Sequence, residues 1–314
     1  MFSVIMPVYN RADLVGDAIR SVLAQEYTDW EIVLVDDGST DNLREVLEQF
    51  SDERIKVFHQ KNGGVSVARN KAMSIAEGDY FCFLDADDKW YPNHLSVLKE
   101  LIAKYPESGF FATCAQISVP NSQSVIISSD YFEGKDEDLY IENFFGAYNE
   151  DKRAKCFQMS TTCIPKSVID RLGNFKEGCK MGEDLELSLR IAAYYPYVLT
   201  AKTTAFYNRA ESVASKEGAF DPDWFFFENY KQILKDSEVS DEKKAELKKL
   251  MDWFEMRRCR HLLLKNRRKE ARESYKRIKG SEELAKDRFI NMILLCLPTS
   301  VIKAYFKFRW RSKA

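Results

Sequence analysis

Four short apolar runs, each followed by a polar break and then a helical pattern, constrain this chain more than any other feature. Residues 2–8, 31–35, 55–58 and 79–84 read as buried strands. Residues 13–25, 43–50 and 65–76 between them carry apolar side chains at helical spacing, such as Leu14, Ala18, Ile19, Val22 and Leu23. This β-α-β-α-β-α-β alternation predicts an α/β fold with a mostly parallel sheet and helices on both faces. In such sheets ligands bind outside the carboxyl ends of the strands. Three of those ends are chemically unusual: Pro7-Val8-Tyr9-Asn10, Asp36-Asp37-Gly38-Ser39 and Asp85-Ala86-Asp87-Asp88. They are expected to converge on one crevice.

The third end is the most demanding. The apolar run Phe81-Cys82-Phe83-Leu84 passes directly into Asp85, Asp87 and Asp88. Carboxylates so close together at a buried strand end are costly unless they meet a cation or a polar ligand. A Mg²⁺ or Mn²⁺ ion carrying a diphosphate suits the place, because hard divalent ions take carboxylate oxygens and complete their shell with phosphate and water. The plainer alternative is an acidic turn ahead of the next helix.

Four segments occur in order, each on the strand end or loop where the alternation puts it: Ser3 to Asn10, Val35 to Asp41, Asn62-Gly63-Gly64-Val65-Ser66-Val67-Ala68-Arg69-Asn70, and Leu84 to Asp88. Together they resemble the family 2 glycosyltransferases of the GT-A fold, whose sheet is Rossmann-like and flanked by helices. The resemblance implies an inverting transfer of a sugar from a nucleotide-diphosphate sugar, expected to be UDP-linked, to a glycan or lipid-linked acceptor in cell-surface polysaccharide synthesis. It places Pro7, Val8, Tyr9 and Asn10 in the loop at the donor base, with the Tyr9 ring as a stacking face and Asp37 accepting a base N–H. Asn62 and Arg69 border the donor, Arg69 touching the base or a phosphate unless it pairs with a surface acid. Asp85 and Ala86 lie toward the ribose, Asp87 is the ligand of a Mn²⁺ or Mg²⁺ ion, and Asp88 is a local cap or a supporting group. On the residues alone, Tyr9 also reads as a core ring and Asp36 as a turn former.

Beyond Trp90-Tyr91-Pro92, residues 93–105 read as a helix and 110–119 as a strand, while 120–155 are irregular, with Gly134 to Asp138 as a surface segment. In the family resembled, this stretch shapes the acceptor side. Residues 159–164 read as a further strand, and Gly182-Glu183-Asp184 opens an amphipathic helix. That pair resembles the second signature of the family, whose inverting members use its Asp as general base, so Asp184 inherits that role. Glu183 orients the acceptor or binds a loop backbone. The chemistry is sound: a base must stand opposite the leaving diphosphate to take the hydroxyl proton, and a carboxylate suffices when the transition state is oxocarbenium-like and a metal offsets charge on the leaving group. Otherwise the pair reads as acids favourable at a helix N-terminus. Residues 203–213 resemble the closing segment of the family, with Ala210 and Glu211 where a metal-binding His often stands; Arg209 offers phosphate neutralisation or is a surface cation.

Charge divides the chain. Residues 1–240 carry 25 Lys and Arg against 39 Asp and Glu, whereas residues 241–314 carry 22 against 10. The division expected is a transferase domain over 1–218 and a basic helical region over 219–314. In the latter, Phe289 to Pro298 and Val301 to Arg311 mix apolar and aromatic residues with cations, the composition of an interfacial contact with an anionic leaflet. The alternative is a helical appendage with solvated charges; no nucleic-acid module accompanies the charge. Seven cysteines without a C-x-x-C pair predict reduced thiols. No secretory signal or apolar span of membrane length is visible, so the expected location is the cytoplasm, peripheral to the inner face of the membrane. Two other functions compete with transfer: a nucleotide-sugar-binding protein without turnover, and a nucleotidyltransferase, against which stands the lack of a Gly-rich triphosphate loop after the first strand.

Overall fold

The structure is a computed structural model and describes residues 1–118, 125–128, 132, 138–150, 157–179, 181–209, 226–278 and 284–311. The chain divides into two compact units, Met1–Gly218 and Ala219–Ala314.

The first unit is built on the expected alternation. Strand β1 (Phe2–Val8) leads to α1 (Val15–Leu23), β2 (Trp30–Asp36), α2 (Leu43–Leu47), β3 (Ile55–His59), α3 (Val65–Ile75) and β4 (Tyr80–Phe83). These four strands lie side by side in the order β3-β2-β1-β4, all parallel. Every residue of β1 and β2 is buried, as required of a parallel sheet covered on both faces. Val4, Met6 and Val8 share a core with Val15, Ala18, Ile19 and Val22 of α1, while α3 brings the buried Ala68 and Ala72 to the sheet.

The chain then adds β5 (Lys89–Trp90), α4 (His94–Lys104), β6 (Phe110–Ser118), β7 (Val125–Ile127), β8 (Asp138–Ile141), α5 (Phe144–Glu150), β9 (Thr162–Pro165), α6 (Lys166–Leu172), α7 (Glu183–Tyr194) and β10 (Tyr197–Tyr207). Strand β9 inserts antiparallel between β4 and β6, and β10 runs parallel to β6. Among the described residues this makes one mixed sheet of ten strands. The strand expected over residues 159–164 is in fact split. Met159–Thr161 forms a 3₁₀ turn, closed by a reciprocal capping box between Gln158 and Thr161, and only Thr162–Pro165 pairs in the sheet. Residues 134–137, 210 and 211, noted above, lie outside the described residues.

One buried group makes the fold sensitive to acid. His94 is fully buried, stacks on Trp90 with ring centroids 4.2 Å apart, and meets Thr204 Oγ1 at 2.6 Å through Nδ1. Its Nε2 has no hydrogen-bond partner among the described residues. Burial pulls its pKa down to about 3, so the unfolded chain takes up the proton first. Stability from this group is whole above about pH 6.5 and falls by about 1.4 kcal/mol per pH unit below it until His94 titrates in the folded state. Chemical denaturation is therefore expected to show the wild type losing about 2 kcal/mol more stability than His94→Gln between pH 7 and pH 5. Parallel profiles would assign the acid sensitivity elsewhere.

In the second unit, helices α8 (Phe226–Ile233), α9 (Asp241–Leu264), α10 (Arg268–Arg277), α11 (Ala285–Cys296) and α12 (Thr299–Arg311) follow one another. Cys259, Leu262 and Leu263 of α9 form a core with Ala271, Leu294, Ile302 and Phe306. Among the described residues, no helix is long and apolar enough to cross a membrane.

Candidate active site

The three unusual strand ends do meet. The loop after β1 is laced to the loop after β2: Asp37 N–H donates to Val8 O at 2.8 Å, Asn10 N–H to Ser39 Oγ at 2.9 Å, and Ala12 N–H to Asp41 Oδ2 at 2.9 Å. Asn10 Oδ1 accepts the Thr40 N–H at 2.8 Å. Asn10 holds a φ of 50°, a left-handed conformation that Asn tolerates because its short side chain bonds nearby backbone. Pro7 and Val8 are buried beneath this lacing, while the Tyr9 ring stands 48% exposed at the strand end. The core-ring reading of Tyr9 is thereby excluded.

The two aspartates after β2 have separate jobs. Asp36 accepts the Ser39 N–H at 2.8 Å and faces His59 Nδ1 at 3.0 Å. Burial pushes its carboxyl up, but the bonds from Ser39 and His59 outweigh burial and hold it below the ordinary value. Asp37 is 3% exposed. Its Oδ1 accepts from Gln60 Nε2 at 2.7 Å and Gly63 N–H at 2.8 Å, and its Oδ2 from Gly64 N–H at 2.8 Å. The loop carrying the exposed Asn62 is thus folded over the end of β2. Gly38 permits this approach: its φ is +78°, and a Cβ there would sit 2.8 Å from Asn62 N.

After β4 the carboxylates diverge. Asp88 turns inward, accepting Ser160 Oγ at 2.5 Å and the Asn208 N–H at 2.8 Å. Burial, and then the charges of Asp85 and Asp87, push its carboxyl well above the ordinary value. Its partners stand 72 and 120 residues away, so Asp88 is a long-range tie and not a local cap. Ser160 also accepts the Asp85 N–H at 3.1 Å, and its carbonyl takes Trp90 Nε1 at 2.6 Å. It braces the acidic turn from the 3₁₀ segment. Ala86 is buried. Asp87 Oδ2 faces Arg11 Nε at 3.8 Å.

Arg69 joins the two signatures. Its side chain is 3% exposed, with Nη2 on Asp85 Oδ1 at 2.7 Å and Nη1 on Glu183 Oε1 at 2.9 Å. The guanidinium also lies 5.3 Å from the Phe175 ring centroid. Burial works against its charge, but Asp85 and Glu183 outweigh burial and raise its pKa above the ordinary value. Next to it, Asn70 bonds both Phe175 N–H (3.0 Å) and Phe175 O (2.9 Å), pinning α3 to the segment before α7. Arg69 thus pairs with two carboxylates, the largely enclosed Glu183 and the partly exposed Asp85.

Glycine at position 182, with a φ of 85°, caps the start of α7. Arg190 anchors that helix by donating to the carbonyls of Leu172, Gly173 and Asn174 while pairing with Glu186 at 2.7 Å. In the first turn Glu183 points inward, and burial followed by the Asp184 charge pushes its carboxyl up. Asp184 is exposed, with Oδ1 accepting the Leu185 N–H at 2.7 Å.

Among the described residues no three His, Cys, Asp or Glu side chains gather into a ready metal cage. A Mg²⁺-type ion does not need one, since it binds through one or two carboxylates plus substrate phosphates and water. All three carboxylates of the turn have partners: Arg69 holds Asp85, Ser160 and the Asn208 N–H hold Asp88, and Asp87 faces Arg11.

Residues 3–170 match the family model described as glycosyl transferase family 2. The chain belongs to that family. Among curated relatives of this glycosyltransferase family member, TuaG of Bacillus subtilis, named for teichuronic acid biosynthesis, is 48% identical over 98 residues, covering 30% of this chain. The matched stretch spans only 39% of the length of TuaG. In fold, the family member is similar to a crystal structure of S. aureus TarS in complex with UDP-GlcNAc (TM-score 0.64, 20% identity, 92% of this chain and 79% of that one). It is also similar to the mannosyltransferase PcManGT of Pyrobaculum calidifontis in complex with GDP-Man and Mn²⁺ (TM-score 0.56, 17% identity, 97% and 82%). The GT-A architecture expected for the first unit of a family 2 member is therefore present.

Proposed function

We propose that this family 2 member is an inverting glycosyltransferase that moves a sugar from a nucleotide-diphosphate donor, UDP-linked in the first instance, to a glycan or lipid-linked acceptor of a cell-surface polysaccharide. The observation that carries the reading is the Arg69 bridge, which brings the acidic strand end and the helix bearing Glu183 and Asp184 to one guanidinium. The polysaccharide context is supported by the teichuronic acid assignment in the name of TuaG, and the donor class by the nucleotide sugars bound to TarS and PcManGT.

In this reading the exposed Tyr9 ring stacks on the base. A carboxylate offers about four acceptor sites. Asp37 uses three within the protein, and the remaining one on Oδ2 takes a base N–H beside Asn62. Asp85 and Ala86 border the ribose. Asp87 holds the Mn²⁺ or Mg²⁺ ion, which when bound offsets charge on the diphosphate, and Arg11 and Arg209 add cationic character on that side. Asp184 takes the proton of the acceptor hydroxyl, its exposure leaving it open to an incoming glycan. Glu183 and Arg69 do not touch the reacting atoms and act as positioning residues. The basic second unit is placed at the anionic inner face of the membrane, which fits a cytoplasmic enzyme with a lipid-linked acceptor.

The reading is tested by titrating UDP-, GDP- and dTDP-sugars with Mn²⁺ and following thermal stabilisation and donor hydrolysis. One nucleotide sugar is expected to stabilise the wild type in a metal-dependent manner. Asp87→Ala is expected to lose most of that dependence, weakening donor affinity in Mn²⁺ on the order of tenfold or more, since second partners of a metal are few here. Absence of any stabilisation across donors and ions would defeat the proposal. Stabilisation without hydrolysis or transfer would leave a nucleotide-sugar-binding protein.

A further inference from the structure

Helix α11 carries apolar residues on both of its sides, Leu294 in the core of the second unit and a second set facing solvent. Its buried side carries Asn291, fully enclosed, which accepts Arg260 Nε at 2.6 Å on Oδ1 and donates to Met256 O at 3.1 Å. Asp287 on the same side pairs with Arg260 at 2.5 Å. Its solvent side carries Phe289 (58% exposed), Met292 (45%) and Ile293 (42%), with the exposed Cys296 one turn further. At 100° per residue these four positions form a single stripe. Val301 on the first turn of α12 is also 45% exposed. Lys286 and Arg288 lie on either flank of the stripe by helical position, and Lys303 and Lys307 are exposed on α12.

Apolar side chains gathered on an outward face, opposite a side that already fills the core, mark an interaction surface. Charge selects the occupant. Residues 241–314 carry 22 Lys and Arg against 10 Asp and Glu, so pairing two copies through this face brings like charges together, whereas an anionic lipid surface complements them. The helix has 12 residues, about 18 Å, which is too short to span a bilayer and suited to lying in its interface. We infer that the α11 stripe of Phe289, Met292 and Ile293 inserts into the headgroup region of an anionic bilayer, with the flanking cations at phosphate level. This deepens the proposed membrane contact of the second unit by naming the inserting face, and it does not depend on glycosyl transfer.

The test is flotation of the full chain with phosphatidylcholine vesicles and with vesicles containing phosphatidylglycerol. Wild type is expected to partition into the anionic vesicles at least about tenfold more strongly than into the neutral ones. Phe289→Ser with Ile293→Ser is expected to reduce that partitioning about tenfold or more, with an unchanged melting temperature because both side chains are already exposed. Met292→Asp alone serves as a second probe should the double variant melt early. No partitioning by the wild type, or partitioning equal to that of folded variants, overturns the inference. So does sedimentation velocity showing a wild-type dimer that either variant converts to monomer, which would make a second copy the occupant. Nucleotide-sugar binding measured on the same samples keeps the two readings apart: loss of donor binding with vesicle contact intact strikes only the transferase proposal, and the converse strikes only this one.

Discussion

Asp184→Asn is expected to lower kcat for transfer about 10²–10⁴-fold while leaving donor affinity nearly unchanged, the range usual for removing a positioned general base. Asn keeps the size of the side chain and the contact with the Leu185 N–H, which is made through Oδ1 at 2.7 Å, so α7 should start in the same place. What it cannot do is take a proton. Asp184 is exposed, hence no folding penalty accompanies the change and the melting temperature should stay put. Steady-state transfer assays alongside donor titration separate the two effects, and unchanged turnover would remove Asp184 from the chemistry.

Arg69→Met has the opposite signature. The substitution leaves the largely enclosed Glu183 and the partly exposed Asp85 without their shared counter-charge, since the same guanidinium holds both at 2.7 and 2.9 Å. Breaking a fully buried ion pair costs about 3–5 kcal/mol; with Asp85 partly open to water the loss falls at the low end, about 3 kcal/mol, which for a unit of this size lowers the melting temperature by roughly 10 °C. Arg69→Lys should recover only part of the loss, because a single ammonium cannot present two parallel donors to two carboxylates. A positioning role further predicts that, in the fraction that stays folded, kcat falls more than donor affinity, as α7 and the Asp85 turn lose their common anchor. Calorimetry and a kcat-against-KM comparison check both parts; a stable, fully active Arg69→Met protein would contradict the bridge.

The legibility of the site followed the range of the interactions involved. The order of β1 to β4, and the acidic and glycine-bearing ends of those strands, could be read from periodicity and turn chemistry because both are local. Gly38 and Gly64 sit where a positive φ is needed, and the Asp-Asp-Gly segment announced its turn. Ser160 gave no such signal: it lies in the segment read as a strand, and its work is to brace Asp85 and Asp88 some 75 residues away. The role of Asp88 was obscured for the same reason, since its partners come from the 3₁₀ turn and from Asn208.

The outward stripe of α11 shows the same limit from another side. Composition identified a basic region with apolar segments, but which side of the helix faces water depends on where Leu294 enters the core and where Arg260 and Met256 hold Asn291. By itself, then, the sequence determined the strand and helix order, the convergence of three polar strand ends and the family that carries them, because these are written in spacings of a few residues. Only the tertiary structure decided that Arg69 spans 114 residues to Glu183, that Asp85, Asp87 and Asp88 part company, and that α11 turns Phe289 outward. Each of those outcomes is set by contacts with side chains far along the chain, which no local pattern records.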